Sequence, residues 1–185
     1  MSENAEHLSR ALDTFLAGQE RRAYRMAYLA TSRQDDALDI VQDAMLKLVR
    51  RYAKRDATEW PALFTRILQN AITDWHRRET VRRRWRQWFS RNEDEEQQED
   101  ALEQVAQPGT HQPQDRVMQD GAMRKLDEVL RKLPVRQQQV FLLRQWEGLD
   151  VAQTADAMGI SQGSVKTHYS RAVHRLREEL EEHWQ

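Results

Sequence analysis

A polar, acidic stretch at residues 90–120 divides this 185-residue sequence into two parts. The stretch holds nine acidic and two basic residues, includes Pro108, Gly109 and Pro113, and has few large apolar side chains before Val117. Such a segment cannot bury enough apolar surface to offset the conformational entropy that it would lose on folding. We therefore expect a flexible acidic linker at 90–120 between two separate domains, at residues 8–89 and 121–182.

Both flanking parts show the apolar periodicity of amphipathic helices, without the alternation that is typical of strands. The fold class is therefore predicted to be all-α, with a small N-terminal helical bundle and a second small helical domain. Ser32 or Asp35 is expected to cap the second helix, and Pro61 to begin the third. The apolar stripes are Leu8, Leu12, Phe15, Leu16, Ala23, Met26 and Ala27; Ala37, Ile40, Val41, Ala44, Leu48, Val49 and Tyr52; Leu63, Phe64, Ile67, Leu68, Ala71, Ile72 and Trp75; Leu126, Val129, Leu130 and Leu133; and Val140, Phe141, Leu143 and Trp146.

The composition excludes several classes of protein. Because the chain has no cysteine, disulfides, thiolate zinc sites and thiol nucleophiles are excluded, which fits a reducing compartment. No window approaches 18 uncharged apolar residues, and Met1–Arg10 lacks the pattern of a secretory signal. The net charge of −1 conceals a net charge of +5 in residues 1–89 and of −7 in residues 90–120. We expect a cytoplasmic protein without membrane insertion, whose partner is a nucleic acid or another polyelectrolyte.

The segment 149–180 predicts a helix-turn-helix arrangement. Asp150 and Gln153 have the spacing of a capping box at the start of a short helix. Gly159 stands where a left-handed residue must end that helix, a conformation that glycine adopts without steric cost. Ser161 then caps a longer helix, whose apolar stripe is Val165, Tyr169, Ala172, Val173, Leu176 and Leu180.

The face opposite that stripe carries donors, acceptors and small residues that suit base edges and phosphates. The DNA footprint is expected to end near Arg175, because the glutamates that follow would repel DNA. A helical hairpin with a solvated polar face is the simpler alternative. The predicted face consists of Gln162, Gly163, Lys166, Thr167, Ser170, Arg171 and His174.

A second basic surface is predicted on the third helix, where the run WHRRETVRRRWRQW occupies residues 75–88. Arginine neutralises phosphates, and tryptophan rings can stack on unpaired bases. An arginine-rich helix end is also common as solvated surface. The candidate residues for binding an unpaired strand are Asn70, Thr73, Asp74, Arg77, Arg78, Arg82 and Trp85.

Acidic residues near the start of the second helix favour a docking surface for a basic partner. The group comprises Asp35, Asp36, Asp39 and Asp43. A metal-dependent nuclease is the alternative, since carboxylates bind hard cations, but acids are usual in a first helical turn. The six histidines lack metal-ligand spacing, and no nucleophile or phosphate-loop motif is present. We therefore expect no metal, no cofactor and no catalytic residue.

Three segments in order resemble the extracytoplasmic-function (ECF) sigma factors of the sigma-70 family. DDALDIVQDAMLKLVRRY (35–52) and WPALFTRILQNAITDWHRRETVRRR (60–84) resemble region 2, and residues 130–180, with LRKLPVRQQQVFLLRQWEGLDVAQ and GSVKTHYSRAVHRLR, resemble region 4. The departures are Asp43 after Gln42, where the family has Gln-Glu, and His174, where arginine or lysine is usual. The resemblance covers about residues 10–90 and 120–180.

The resemblance implies a non-enzymatic protein that directs core RNA polymerase to promoters and promotes DNA melting. Region 2 would dock Asp36, Asp39, Gln42 and Asp43 on the clamp helices of the largest polymerase subunit, and its basic surface would bind the melted −10 element. Region 4 would bind the flap of the second subunit and place its polar face, together with Ser164, at the −35 element. An anti-sigma factor is an implied candidate partner.

The sequence leaves two points open. A stand-alone helix-turn-helix repressor or activator, with a helical dimerisation or sensor domain, is the alternative function. The acidic linker is either a solubilising spacer or a segment that threads toward the RNA-exit path, where a basic channel would accept its charge.

Overall fold

The computed structural model describes residues 2–91 and 121–181. Their elements are α1 (Ser2–Thr31), α2 (Gln34–Tyr52), a 3₁₀ turn (Ala57–Glu59), α3 (Trp60–Arg91), α4 (Gly121–Lys132), α5 (Val135–Gln145), α6 (Val151–Met158) and α7 (Gln162–Glu181). The described parts contain no strand, so the all-α prediction is confirmed. The predicted linker lies outside the described residues except at its first two positions. No helix in these two ranges is long and apolar enough to cross a membrane.

The N-terminal bundle packs the predicted apolar stripes of α1, α2 and α3 against one another. Trp60 at the start of α3 is fully buried, and its indole N–H donates to the Tyr52 carbonyl at 3.2 Å. Phe15 contacts the rings of both Trp60 and Phe64. This cluster therefore joins α1 to the entry of α3 and determines where α3 begins.

The predicted cap of α2 is wrong. Ser32 has φ 55° and donates its backbone N–H to the Tyr28 carbonyl, so it terminates α1 instead of capping α2. Arg33 stands at the cap position, and its side chain makes no capping hydrogen bond. The hydroxyl of Thr31 accepts the Arg33 N–H at 3.2 Å and satisfies that backbone donor. Because α2 begins at Gln34, its cap position falls on Arg33, one residue after Ser32 and two before Asp35.

The C-terminal domain has the predicted helix-turn-helix geometry. Asp150 and Gln153 form a reciprocal capping box at the start of α6, with distances of 2.8 and 2.9 Å. Gly159 adopts φ 62° and ends α6, and the Ser161 hydroxyl accepts the Ser164 N–H at the start of α7. Val165 and Ala172 are fully buried beneath α7. Local capping therefore sets the lengths of both helices and the angle of the turn.

The two domains pack directly against each other. Helix α3 contacts α5 and α6, and α1 contacts α4 and α5. The buried apolar side chains of both domains form one continuous core. The sequence predicted separate domains, because a helical stripe shows which face is buried but not which partner covers it. Two stripe residues, Val49 and Trp146, are exposed instead of buried.

Gly159→Ala is expected to lower the free energy of unfolding of the C-terminal domain. A side chain at φ 62° is strained, although nothing lies within 4 Å of the added Cβ, so the cost should be about 1–2 kcal/mol. Gly163→Ala is the matched control, because Gly163 lies in α7 at negative φ with space for a Cβ, and it should gain about 0.5–1 kcal/mol. Urea unfolding measures both changes, and equal effects would contradict the strain argument.

Candidate nucleic-acid interface

The predicted polar face of α7 is exposed to solvent. Lys166, Thr167 and Arg171 all project from the side opposite the buried Val165. The same is true of Gln162, Gly163, Ser170 and His174, whereas Ser164 is half-buried. Side chains along one exposed helix face can reach base edges and phosphates in a major groove together.

The exposed face of α7 ends where the glutamates begin. His174 lies 3.3 Å from the Glu178 carboxylate, one helical turn away. Glu178 therefore places negative charge beside the last polar residue of the predicted face. This arrangement fits a footprint that ends near Arg175.

One cation near this face is Arg136 on α5, which the sequence reasoning missed. His168 on α7 has a lowered pKa because it is partly buried and because Arg136 and Arg171 repel its protonated form. Arg136 therefore adds positive charge from a second helix to the surroundings of His168. Its position beside α7 was not predictable from the sequence, because it is a single arginine that follows Pro134 and Val135.

The predicted surface on α3 is continuous and faces outward along most of its length. Asn70, Asp74 and Arg77 are exposed, one helical turn apart. Thr73 differs: it is half-buried, and its hydroxyl donates to the Gln69 carbonyl at 2.9 Å and accepts from the Gln139 side chain at 3.2 Å. This last contact comes from the C-terminal domain.

A single carboxylate organises the arginines at the end of this surface. Glu79 is only 12% exposed and lies 3.6, 3.6 and 2.8 Å from the guanidinium groups of Arg82, Arg83 and Arg86. The arginine side chains are themselves more than half exposed, so each pair is weak by itself. Together they order three cations around one charge and leave the cluster net positive. The arginines were predicted from the sequence as a basic surface, whereas no role was predicted for Glu79.

Two tryptophans extend the basic surface toward the end of α3. Trp85 and Trp88 are each 56% exposed, and their rings meet edge to face at 5.9 Å. Large exposed aromatic faces beside arginines are the features that bind unpaired bases by stacking. Trp85, one of the candidate residues, is thus available at the surface of α3.

The predicted docking residues lie next to the basic surface. Asp39 and Asp43 on α2 face Arg78 and Arg82 on α3 across a cleft that all four side chains line. Gln42 is exposed as well, whereas Asp36 is half-buried and lies 3.0 Å from the Arg33 guanidinium. No group of three potential metal ligands is found within the two described ranges.

The exposed face of α2 also carries apolar residues that the sequence reading did not assign to a site. Leu38, Leu46 and Val49 are exposed, and Gln42 lies between them on the same helical line. An exposed apolar line beside acidic residues is typical of a protein-binding surface. Their spacing of eight and three residues places them on one side of the helix, and this spacing is visible in the sequence.

His76 on α3 is a half-buried histidine within the arginine-rich run. His76 has a lowered pKa, first because burial disfavours its charged form and also because Arg83 repels it, while a hydrogen bond to Ala30 acts in the opposite direction. Its Nε2 atom is buried and has no hydrogen-bond partner among the described residues. Protonation there would bury an unpaired charged donor.

Comparison with known proteins identifies the family. The family model described as "Sigma-70 region 2" matches residues 17–87, and the one described as "Sigma-70, region 4" matches residues 123–176. The chain therefore belongs to the sigma-70 family of RNA polymerase sigma factors, within the ECF group. Its function is to direct RNA polymerase to promoters. This result replaces the alternative of a stand-alone repressor or activator.

Individual relatives agree with this assignment. The chain is 34% identical over 146 residues to the RNA polymerase sigma-E factor of Streptomyces coelicolor, covering 78% of this chain and 72% of the relative. It is 28% identical over 170 residues to the ECF RNA polymerase sigma factor SigM of Mycobacterium tuberculosis, covering 90% of this chain and 75% of that protein. The fold is similar to that of the Bartonella quintana sigma factor RpoE, solved in complex with the anti-sigma factor NepR, with a TM-score of 0.54, 23% identity and 98% coverage of both chains.

The His76 environment predicts a dependence of stability on pH. The unfolded chain takes up a proton at His76 near pH 6.5 and the folded chain only at lower pH, so the free energy of unfolding should fall as the pH falls through 6.5. His76→Asn keeps a side-chain donor for Ala30 but cannot be protonated, so its profile should be flatter. Urea unfolding from about pH 7.5 to 5 measures this, over the range in which histidine titrates. Parallel profiles for the two proteins would refute the assignment.

Proposed function

We propose that residues 8–89 act as region 2 and residues 121–182 as region 4, joined by the acidic segment 90–120. In this arrangement α2 docks on core polymerase, α3 binds the melted −10 strand, and α7 binds the −35 element. The observation that carries the proposal is the exposure of one continuous polar and basic face on each of α3 and α7. The chain contributes recognition and strand capture, and we propose that it has no catalytic activity of its own.

The major-groove part of the proposal rests on α7. Its buried stripe is turned toward α5 and α6, which leaves Lys166, Thr167 and Arg171 on the solvent side. Lysine and arginine bind phosphates or guanine edges, and small residues such as Gly163 permit close approach of the helix backbone. These are the features that support −35 recognition by Gln162, Gly163, Ser164, Lys166, Thr167, Ser170, Arg171 and His174.

The strand-capture part rests on α3. Asn70 and Asp74 offer polar groups for an exposed base edge, the arginines bind the backbone, and Trp85 offers a stacking surface. Docking on core polymerase is supported by the neighbouring acidic and apolar line of α2, with Asp39, Gln42 and Asp43 at its centre. Docking and strand capture would then take place on adjacent helices.

The cellular setting follows from this role. A protein that works with RNA polymerase on promoter DNA acts in the bacterial cytoplasm, which we propose as its location. A solved structure with a similar fold, that of the Bartonella quintana sigma factor RpoE, contains an anti-sigma factor. An anti-sigma factor is accordingly proposed as a partner of this chain, in addition to core polymerase and promoter DNA.

Lys166→Ala and Arg171→Ala are expected to weaken −35 binding without unfolding the C-terminal domain, because both side chains are exposed. Loss of a phosphate contact should reduce the salt-dependence slope by about one unit, whereas loss of a base contact should cost about 1–3 kcal/mol and relax sequence preference. Binding of holoenzyme to −35 variants at several salt concentrations separates the two cases. Wild-type binding by both variants would exclude this face of α7.

Asn70→Ala and Arg77→Ala are expected to impair strand opening more than duplex binding. A template that is already melted should rescue them in part, because the cost of unpairing is then supplied in advance. Each lost base contact should cost about 1–3 kcal/mol. Abortive transcription on duplex and bubbled promoters provides the measurement.

Asp43→Arg is the control for that experiment, since it lies on the docking face of α2 and not on α3. It should reduce core binding and therefore initiation equally on both templates. If the Asn70 and Arg77 variants behave in the same way as Asp43→Arg, their role in melting is excluded.

A further inference from the structure

The three arginines that contact Glu79 follow it on α3 by three, four and seven residues. Residues at these spacings lie on the same side of a helix. The guanidinium groups of Arg83 and Arg86 both approach the Glu79 Oε1 atom, at 3.6 and 2.8 Å, so the contacting nitrogens lie no farther apart than the sum of these distances. Arg82, Arg83 and Arg86 are called the arginine cluster below. Its cations are held close together although like charges repel one another.

Glu79 lies on the side of α3 that faces the bundle. It follows the buried Ile72 by seven residues, or about two helical turns, and it lines the cleft with Asp39 and Asp43 of α2. Asn70 on the proposed strand-binding face precedes Glu79 by nine residues, or about two and a half turns, and therefore lies on the opposite side of the helix. The ion pairs thus hold the arginine cluster toward the cleft and away from the face that contains Asn70.

A phosphate competes with Glu79 for the arginine cluster. Contacts between arginine and phosphate supply sequence-independent binding, whereas polar contacts to base edges supply selectivity. Only Arg82 of the cluster is among the candidate residues for the −10 strand. An arbitrary strand can use all three cations, so competition from Glu79 weakens its binding more than it weakens binding of the −10 strand.

We propose that Glu79 is a positioning residue that determines selectivity, because it restrains the arginine cluster and so suppresses sequence-independent binding to single-stranded DNA. The proposal rests on the assignment of α3 to the −10 strand. The arginine side chains are 66, 52 and 64% exposed, so each ion pair is weak and a phosphate can displace it. The carboxylate beneath them is only 12% exposed and acts on all three at once.

Two substitutions separate the restraint from a simple change of net charge. Glu79→Gln has nearly the same shape as the wild type but releases three arginines. Glu59→Gln is the matched control, because it changes the net charge equally at a residue that lies 3.8 Å from one arginine, Arg55. Each arginine that contacts a single strand adds about 0.7 to the slope of log K against log salt concentration. For the full chain and a strand of permuted sequence, the slope should steepen by about 2 in Glu79→Gln and by at most about 0.7 in Glu59→Gln.

Selectivity is measured with holoenzyme, as the ratio of its affinities for a single strand that carries the −10 element and for the permuted strand. Each phosphate contact contributes about fivefold at 0.1 M salt, so two additional contacts on the permuted strand should lower this ratio about 10- to 25-fold in Glu79→Gln. Glu59→Gln should keep the wild-type ratio. Changing the arginine cluster to alanine in the Glu79→Gln chain should remove the gain in binding to the permuted strand.

Glu79→Asp distinguishes restraint from packing. Aspartate keeps the charge but is one methylene shorter, so it alters the packing more than the isosteric glutamine does. If Glu79 acts through its charge, the slope and the ratio of Glu79→Asp should lie closer to those of the wild type than the values of Glu79→Gln do. The opposite order would indicate a packing role and overturn the proposal.

The proposal also fails if the slope of Glu79→Gln is no steeper than that of Glu59→Gln, or if the ratio is unchanged. A loss of affinity for core polymerase with an unchanged ratio would instead assign Glu79 to docking, since it lines the same cleft as the docking residues of α2. Failure of the −10 assignment would appear differently, as holoenzyme whose binding to the −10 strand is unaffected by Asn70→Ala and Arg77→Ala.

Discussion

Each helix of this protein is apolar along one face only, and burial of that face is the main source of its stability. On α3, for example, Ile67 and Ile72 are buried, whereas Asn70 and Asp74 between and after them are exposed. The side chains available to DNA or polymerase are therefore those that the core does not use. Substitutions on these exposed faces should therefore leave the bundle folded. Their effects on binding can then be measured separately from effects on stability.

The features that could be predicted from the sequence are those that depend on residues close together in the chain. The capping box at Asp150, the left-handed Gly159 and the exposed face of α7 depend on spacings of one to four residues, and all three are present. The interface between the domains depends on pairs such as Gln138 with Leu29, which are 109 residues apart. Helical periodicity carries no information about such pairs.

The buried glutamines show a further limit of sequence reading. Glutamine is usually exposed, so a run of three on α5 is normally assigned to the surface. Yet Gln138 and Gln139 precede the buried Leu142 and Leu143 by one helical turn each, and helical geometry places them on the same face. The helical spacing indicates that these two positions are buried, whereas glutamine as a residue type indicates exposure.

Helix α3 is unbroken from Trp60 to Arg91. Thr73 at the domain interface, Arg78 in the docking cleft and Trp88 near the helix end lie along about 22 Å of one axis, at 1.5 Å per residue. Because the helix has no kink-forming proline or glycine after Pro61, a rotation about its axis turns all of these side chains through the same angle. A contact at this cleft that rotated α3 would therefore also turn Thr73 at the domain interface and the tryptophan rings near the end of the helix.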